Sequence, residues 1–166
     1  ASFVWNYGLG MTWLAVPLYA HSQGLSAAEI GVLFSVPVLA QITINLVGGA
    51  YTDRVGGRRV MIASCLAMAL GGLELSFAQG FWQFTFAEFV LGIGASMRSG
   101  TESALLFDTL KHRGRTEDYQ RFEGHAESLT RLGTAISAML GGVLAAIALR
   151  LPFYVNLASA ALLLVM

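Results

Sequence analysis

The chain is short of charge. Of its 166 residues only 12% are Asp, Glu, Lys or Arg, about half the share usual in a soluble domain. That deficit excludes a disordered chain, whose polarity denies it a core, and an ordinary cytosolic enzyme domain. Ten basic residues balance ten acidic ones, so nothing draws the chain to a polyanion, and nucleic acid is not an expected partner. The single cysteine, Cys65, can form neither an internal disulfide nor a zinc cluster. It lies in an apolar run and reads as inert packing. His21, His112 and His125 fall in loops or at the ends of apolar stretches, without a metal-ligand spacing to carboxylates. No phosphate cradle, nucleophile elbow or histidine-based catalytic pair occurs inside an apolar stretch. Neither a cofactor nor a metal nor an enzymatic activity is expected.

What the chain has is apolar length. Hydrophobic residues make up 55% of it, interspersed with 19 glycines, and mean hydropathy is +0.64. A membrane helix needs about 20 apolar residues at about 1.5 Å each. Six stretches are candidates: 2–20, 28–51, 59–79, 82–108, 127–149, and one from Pro152 to residue 166. The last is too short to cross a hydrocarbon core of about 30 Å. Together with an apolar start at Ala1, this makes both ends read as cuts from a longer protein. No signal peptide is expected, since the first stretch lacks a basic flank. The fold expectation is an all-α polytopic membrane protein, a bundle of six helices with the sixth incomplete, partnered by the lipid bilayer.

Basic residues set the orientation. Arg54, Arg58 and Arg59 lie in loop 52–58, and Lys111, Arg113, Arg115 and Arg121 in loop 109–126, with Arg131 close by; only Arg150 lies at the opposite ends. The positive-inside rule puts those two loops and the N-terminus in the cytoplasm. Segment 109–126 is too polar to span and reads as an interfacial helix or an ordered loop of mixed charge. Small residues inside the spans, among them Gly133, Gly141 and Gly142 of span 5, let helix backbones approach, because association in lipid is driven by packing.

Polar residues inside spans are the candidate site. In span 4, Arg98 and Glu102 are four apart and share a face. Glu88 falls within about 40° of Glu102 at 100° per residue. Charge in a bilayer is costly unless paired or watered, so this stripe must face the bundle interior or a cavity. Arg98–Glu102 reads either as a static ion pair that orders helices or as a substrate and proton site. Asn6 and Tyr7 on span 1, Gln41 and Asn45 on span 2, and Asn156 on span 6 are cavity candidates; Gln41 and Asn45 also suit bonding across helices. Asp108, at the cytoplasmic end of span 4, reads as a gate element paired with Arg54, Arg58 or the 109–126 loop.

One stretch carries a family resemblance: Gly49-Ala-Tyr-Thr-Asp53-Arg54-Val-Gly56-Gly57-Arg58-Arg59. It resembles the hallmark loop between helices 2 and 3 of the major facilitator superfamily, Gly-x-x-x-Asp-Arg-x-Gly-Arg-Arg in generic form. Gly49, Asp53, Arg54, Gly56 and Arg58 match. Gly57 stands where a basic residue is usual, and Arg59 supplies that charge one position on. The resemblance implies that the chain is the N-terminal six-helix half of a transporter. It also implies that Asp53 and its arginines form a cytoplasmic gate against the C-terminal half. Span 5, Gly133-Thr-Ala-Ile-Ser137-Ala138-Met-Leu-Gly141-Gly142, resembles the antiporter signature with Ser-Ala in place of Gly-Pro. Span 4, from Met97 to Asp108, resembles the Glu-bearing fourth helix of bacterial drug-exporter-like members. Glu88 takes the place of an arginine there, so that arginine's proton-relay role does not carry over. The implied function is secondary active transport by alternating access: proton-coupled efflux of drugs or other small amphiphiles across the bacterial inner membrane. The alternative is a symporter or facilitator for sugars or organic anions, held through Arg98. A non-transporting receptor built on the same fold is the third class.

Overall fold

The computed structural model describes residues 12, 15–155 and 158, with side chains at all of these except 46–54. Asn6, Tyr7 and Asn156 lie outside the described residues, as do the side chains of Asp53 and Arg54 and the surroundings of Gly49. The chain is all-α: among the described residues there is no strand. The helices are α1 (described over 15–22), α2 (Ala27–Val55), α3 (Gly57–Phe77), α4 (Phe81–His112), α5 (Tyr119–Ile147) and α6 (described over 151–155). A single 3-10 turn, Thr116–Asp118, precedes α5.

Local chemistry explains the ends. Ser26 and Glu29 form a capping box at the start of α2: the Ser26 backbone N–H and hydroxyl both donate to Glu29 Oε2, at 2.8 and 2.7 Å. The Glu29 backbone N–H donates to Ser26 Oγ at 3.3 Å. Two orphan donors of the first turn are thereby satisfied. Gly56, at φ 88° and ψ 136°, is the whole connection between α2 and α3; only glycine adopts that backbone without strain. After α3, the Gln79 N–H donates to Gln83 Oε1 at 2.7 Å, leading into α4.

Helices run past the apolar stretches that announce them. Where loops 52–58 and 109–126 are expected, α2 continues to Val55, α4 to His112, and α5 begins at Tyr119. Apolar length measures what lipid covers, whereas a helix extends into headgroups and water as long as its backbone bonds close. Polar pairs support these extensions: Arg115 bonds Asp118 at 2.7 Å and lies over the Phe122 ring, and Arg131 pairs with Glu127 at 2.8 Å. Three described segments are long and apolar enough to cross a membrane: Ala27–Asn45, Gly57–Phe77 and Thr116–Ile147. Helix α4 is not among them, because Gln83, Glu88, Arg98 and Glu102 dilute it. It is instead the helix the others share, packed closely against both α2 and α3.

Apolar residues point both ways, as lipid permits. Leu129, Leu132, Ile136, Met139, Val143 and Ile147 form an exposed stripe on α5, while Gly133, Ser137, Gly141 and Ala145 form its buried stripe at four-residue spacing. At the end of the bundle where α4 begins, the Tyr19 ring sits 5.5 Å from Phe84 and 5.2 Å from Phe153, tying α1 to α4 and α6. Arg150 lies over the same tyrosine at 5.7 Å.

Candidate functional site

Two glycines set how α4 is held. A Cβ on Gly92 would stand 2.7 Å from both Cα and O of Pro37 and 3.0 Å from Cβ of Ala40. A Cβ on Gly94 would run into the Met68 side chain, with the Ser64 carbonyl at 3.1 Å. Gly92 is thus the seat of α2 and Gly94 the seat of α3. At about 100° per residue the two seats are about 160° apart on the helix. Phe84 and Glu102 fall midway between them, with Glu88 and Arg98 about 40° to either side. On the opposite side, Trp82 and Phe86 are 79% and 59% exposed. The ionisable stripe therefore lies on the side of α4 that carries Phe84, which meets Tyr19 of α1, and the exposed aromatic stripe lies on the opposite, outward side.

On that inward face, Arg98 Nη1 donates to Glu102 Oε2 at 2.5 Å. The pair is mostly buried, with 16% and 29% of the two side chains accessible. Arg98 Nε is closed off from solvent and has no hydrogen-bond partner. About 15 Å nearer the start of α4, Glu88 is 8% exposed and makes no hydrogen bond or ion pair among the described residues. An ionised carboxylate so placed costs several kcal/mol unless a counter-charge or water reaches it.

The remaining candidates divide. Asn45 accepts a 2.5 Å bond from Ser96 Oγ, which also reaches the Gln41 carbonyl at 3.4 Å. Span 2 is thereby tied to span 4 by the Asn45 side chain and the Gln41 backbone. Ser96 is a partner that sequence reasoning missed, because a serine among small residues looks like a packing position. Ser103 was missed likewise; it donates to Glu123 at 2.8 Å and joins α4 to α5. Gly133 and Gly141 lie on the buried stripe of α5, but Gly142 does not: it is exposed, with nothing within 4 Å of a Cβ placed there. One residue's rotation turns it away from the seam. Asp108, Arg58 and Arg59 are exposed, and Asp108 makes no ion pair among the described residues. The motif loop also lies against α4 at Gly57, where an added Cβ would stand 3.2 Å from Leu105 Cδ2 and 3.4 Å from Thr101 Cγ2. At this departure from the family pattern a basic side chain would fit only if the Leu105 and Thr101 side chains gave way by a few tenths of an ångström. Among the described residues no group of His, Cys, Asp and Glu could hold a metal.

A model of the Major Facilitator Superfamily matches residues 1–166. The quinolone resistance protein NorA of Staphylococcus aureus (strain MRSA252) is 21% identical over 147 residues, which are 89% of this chain and 37% of NorA. The multidrug resistance protein MdtL of Shewanella sp. (strain ANA-3) is 29% identical over 110 residues, 66% of this chain and 28% of MdtL. The chain thus spans well under half the length of these relatives.

Proposed function

The chain belongs to the major facilitator superfamily, and on that premise we propose that it forms the N-terminal half of a proton-coupled exporter of small amphiphilic molecules in a bacterial inner membrane. The observation that carries this reading is one face of α4, where the Arg98–Glu102 pair and, about 15 Å along the helix, Glu88 are aligned in a helix held on two sides by α2 and α3. Ionisable side chains in such a place mark substrate or proton pathways. The names of NorA and MdtL, a quinolone and a multidrug resistance protein, favour export of drug-like molecules.

In this mechanism the chain supplies one wall of a site near the midplane, and a C-terminal half of the same protein supplies the other. Glu88 and Glu102 exchange protons as the site faces one side and then the other. Protonation of Glu102 weakens its bond to Arg98 and shifts the balance between the two states, because each state holds a different set of pairs. Asp53 and the neighbouring arginines close the cytoplasmic side. The buried stripe of α5 gives a smooth surface on which helices rock.

Export is tested with the full-length protein in proteoliposomes. Under an inward proton gradient, addition of ethidium is expected to drive proton movement in the wild type and none in Glu102→Gln, with the variant still folded. Equal coupled transport in both proteins refutes the assignment to Glu102. Ethidium flux without proton movement refutes coupling and moves the protein to facilitated transport. The alternative of an organic-anion carrier is less well supported, because the charge of Arg98 is already met by Glu102.

A further inference from the structure

A guanidinium presents five N–H donors in one plane and, inside a protein, needs acceptors for them. Arg98 spends Nη1 on Glu102, yet its Nε–H is buried and unpaired. It is the only buried side-chain nitrogen or oxygen in that condition among the described residues. Such orphans are rare and costly in native structures.

The neighbouring hydroxyls do not compete for a ligand. Ser96 is committed to α2 through Asn45 and Gln41, Ser99 donates to the Ser96 carbonyl at 3.3 Å, and Thr101 donates to the Met97 carbonyl at 2.7 Å. Ser103 is committed to Glu123 of α5. The orphan donor is thus a particular feature of Arg98 within an otherwise satisfied stretch of α4.

Two facts narrow what it awaits. The positive charge is balanced at 2.5 Å by Glu102, so the site lacks a hydrogen-bond acceptor rather than a negative charge. A second anion there would leave an uncompensated charge near the middle of a membrane helix. The missing group is therefore an uncharged oxygen.

We propose that Arg98 is a substrate-recognition residue whose Nε–H donates to a carbonyl oxygen on the transported molecule. The proposal rests on the transport reading above and adds the chemical class of the substrate: amphiphiles bearing a neutral carbonyl, in preference to carbonyl-free or anionic ones. Nε is closed off in the arrangement described here, so the oxygen reaches it when α4 and its neighbours part during the transport cycle.

The test uses the full-length protein in lipid nanodiscs, with empty nanodiscs as blank, and equilibrium dialysis of two probes. Fluorenone and fluorene share one ring system, with and without a carbonyl. The wild type is expected to bind fluorenone about tenfold more tightly, as one hydrogen bond to a charged donor allows. Arg98→Lys keeps a charge for Glu102 and removes the Nε–H; the preference should fall below about twofold with fluorene binding unchanged. Should Lys fail to assemble, the Arg98→Gln/Glu102→Gln double variant, which removes both charges together, serves as the same arm. A wild type without preference, or a preference that survives in the variant, overturns the proposal and leaves the donor to water or to the other half of the protein. Absence of proton movement on addition of fluorenone to wild-type proteoliposomes refutes the transport reading alone, because the dialysis result reads binding independently of flux.

Discussion

Alanine placed at Gly92 and at Gly100 should have opposite effects, though both are the same chemical change on one helix. At Gly92 the new methyl would stand 2.7 Å from two backbone atoms of Pro37. Carbon atoms prefer about 3.5–4.0 Å, so α2 and α4 must part by roughly 1 Å, and backbone cannot rotate out of the way as a side chain can. Overpacking of this kind costs about 1–3 kcal/mol. At Gly100 nothing lies within 4 Å of the added atom. There the substitution removes glycine's excess freedom in a helix and stabilises by about 0.5–1 kcal/mol. The two variants should then differ by about 1.5–4 kcal/mol, roughly ten- to a thousandfold in the folding equilibrium. Gly94→Ala should be costly like Gly92→Ala, because its methyl meets Met68 Cγ close to the backbone, with the Ser64 carbonyl at 3.1 Å and the Met68 N at 3.2 Å behind it. The assay is equilibrium unfolding of the full-length protein by steric trapping in bicelles. Equal stability of the Gly92 and Gly100 variants, or a Gly92 variant more stable than wild type, refutes the helix contact on which the inward face depends.

Two further outcomes follow from the same helix and its neighbours. In a double-mutant cycle with alanine, Ser96 and Asn45 should couple by about 0.6 kcal/mol and no more than about 1.7, the range for hydrogen bonds between membrane helices; additive single effects in the same unfolding assay would refute the bond between α2 and α4. Gly56→Ala, at φ 88°, should cost about 1–3 kcal/mol with open space around the methyl; an unchanged unfolding midpoint would show that the α2–α3 turn relaxes to another conformation.

Much of the fold was legible without coordinates because lipid imposes a one-dimensional rule. A chain that crosses it must be apolar for a fixed length and must close its own backbone bonds. Spans 2, 3 and 5 are read directly from that rule, and the described helices α2, α3 and α5 contain the segments that satisfy it. The Gly49–Arg59 stretch announces the family for a similar reason: its glycines and charges are close in sequence. Helix ends were less legible. Beyond the bilayer, nothing in hydropathy distinguishes a helix that continues, as α4 does to His112, from a loop.

The candidate site divides along the same line. That Arg98 and Glu102 share a face follows from a spacing of four, and that Glu88 joins them follows from fourteen residues at 100° each. Those are properties of one helix, so the amino-acid order alone determined them. Only packing decided which way the helix is turned, because that depends on Gly92 meeting Pro37 and Gly94 meeting Met68 across distances of tens of residues in the chain. Packing likewise decided that Ser96 bonds Asn45, that Gly142 lies away from the seam, and that Gly57 lies against Leu105 and Thr101 of α4. A residue's partner on another helix is set by the rotation and offset of both helices, and no local spacing records either. The charges were therefore in the order of the residues, whereas a buried Glu88 without a partner among the described residues and a buried, unpaired Arg98 Nε came from the way neighbouring helices close around α4.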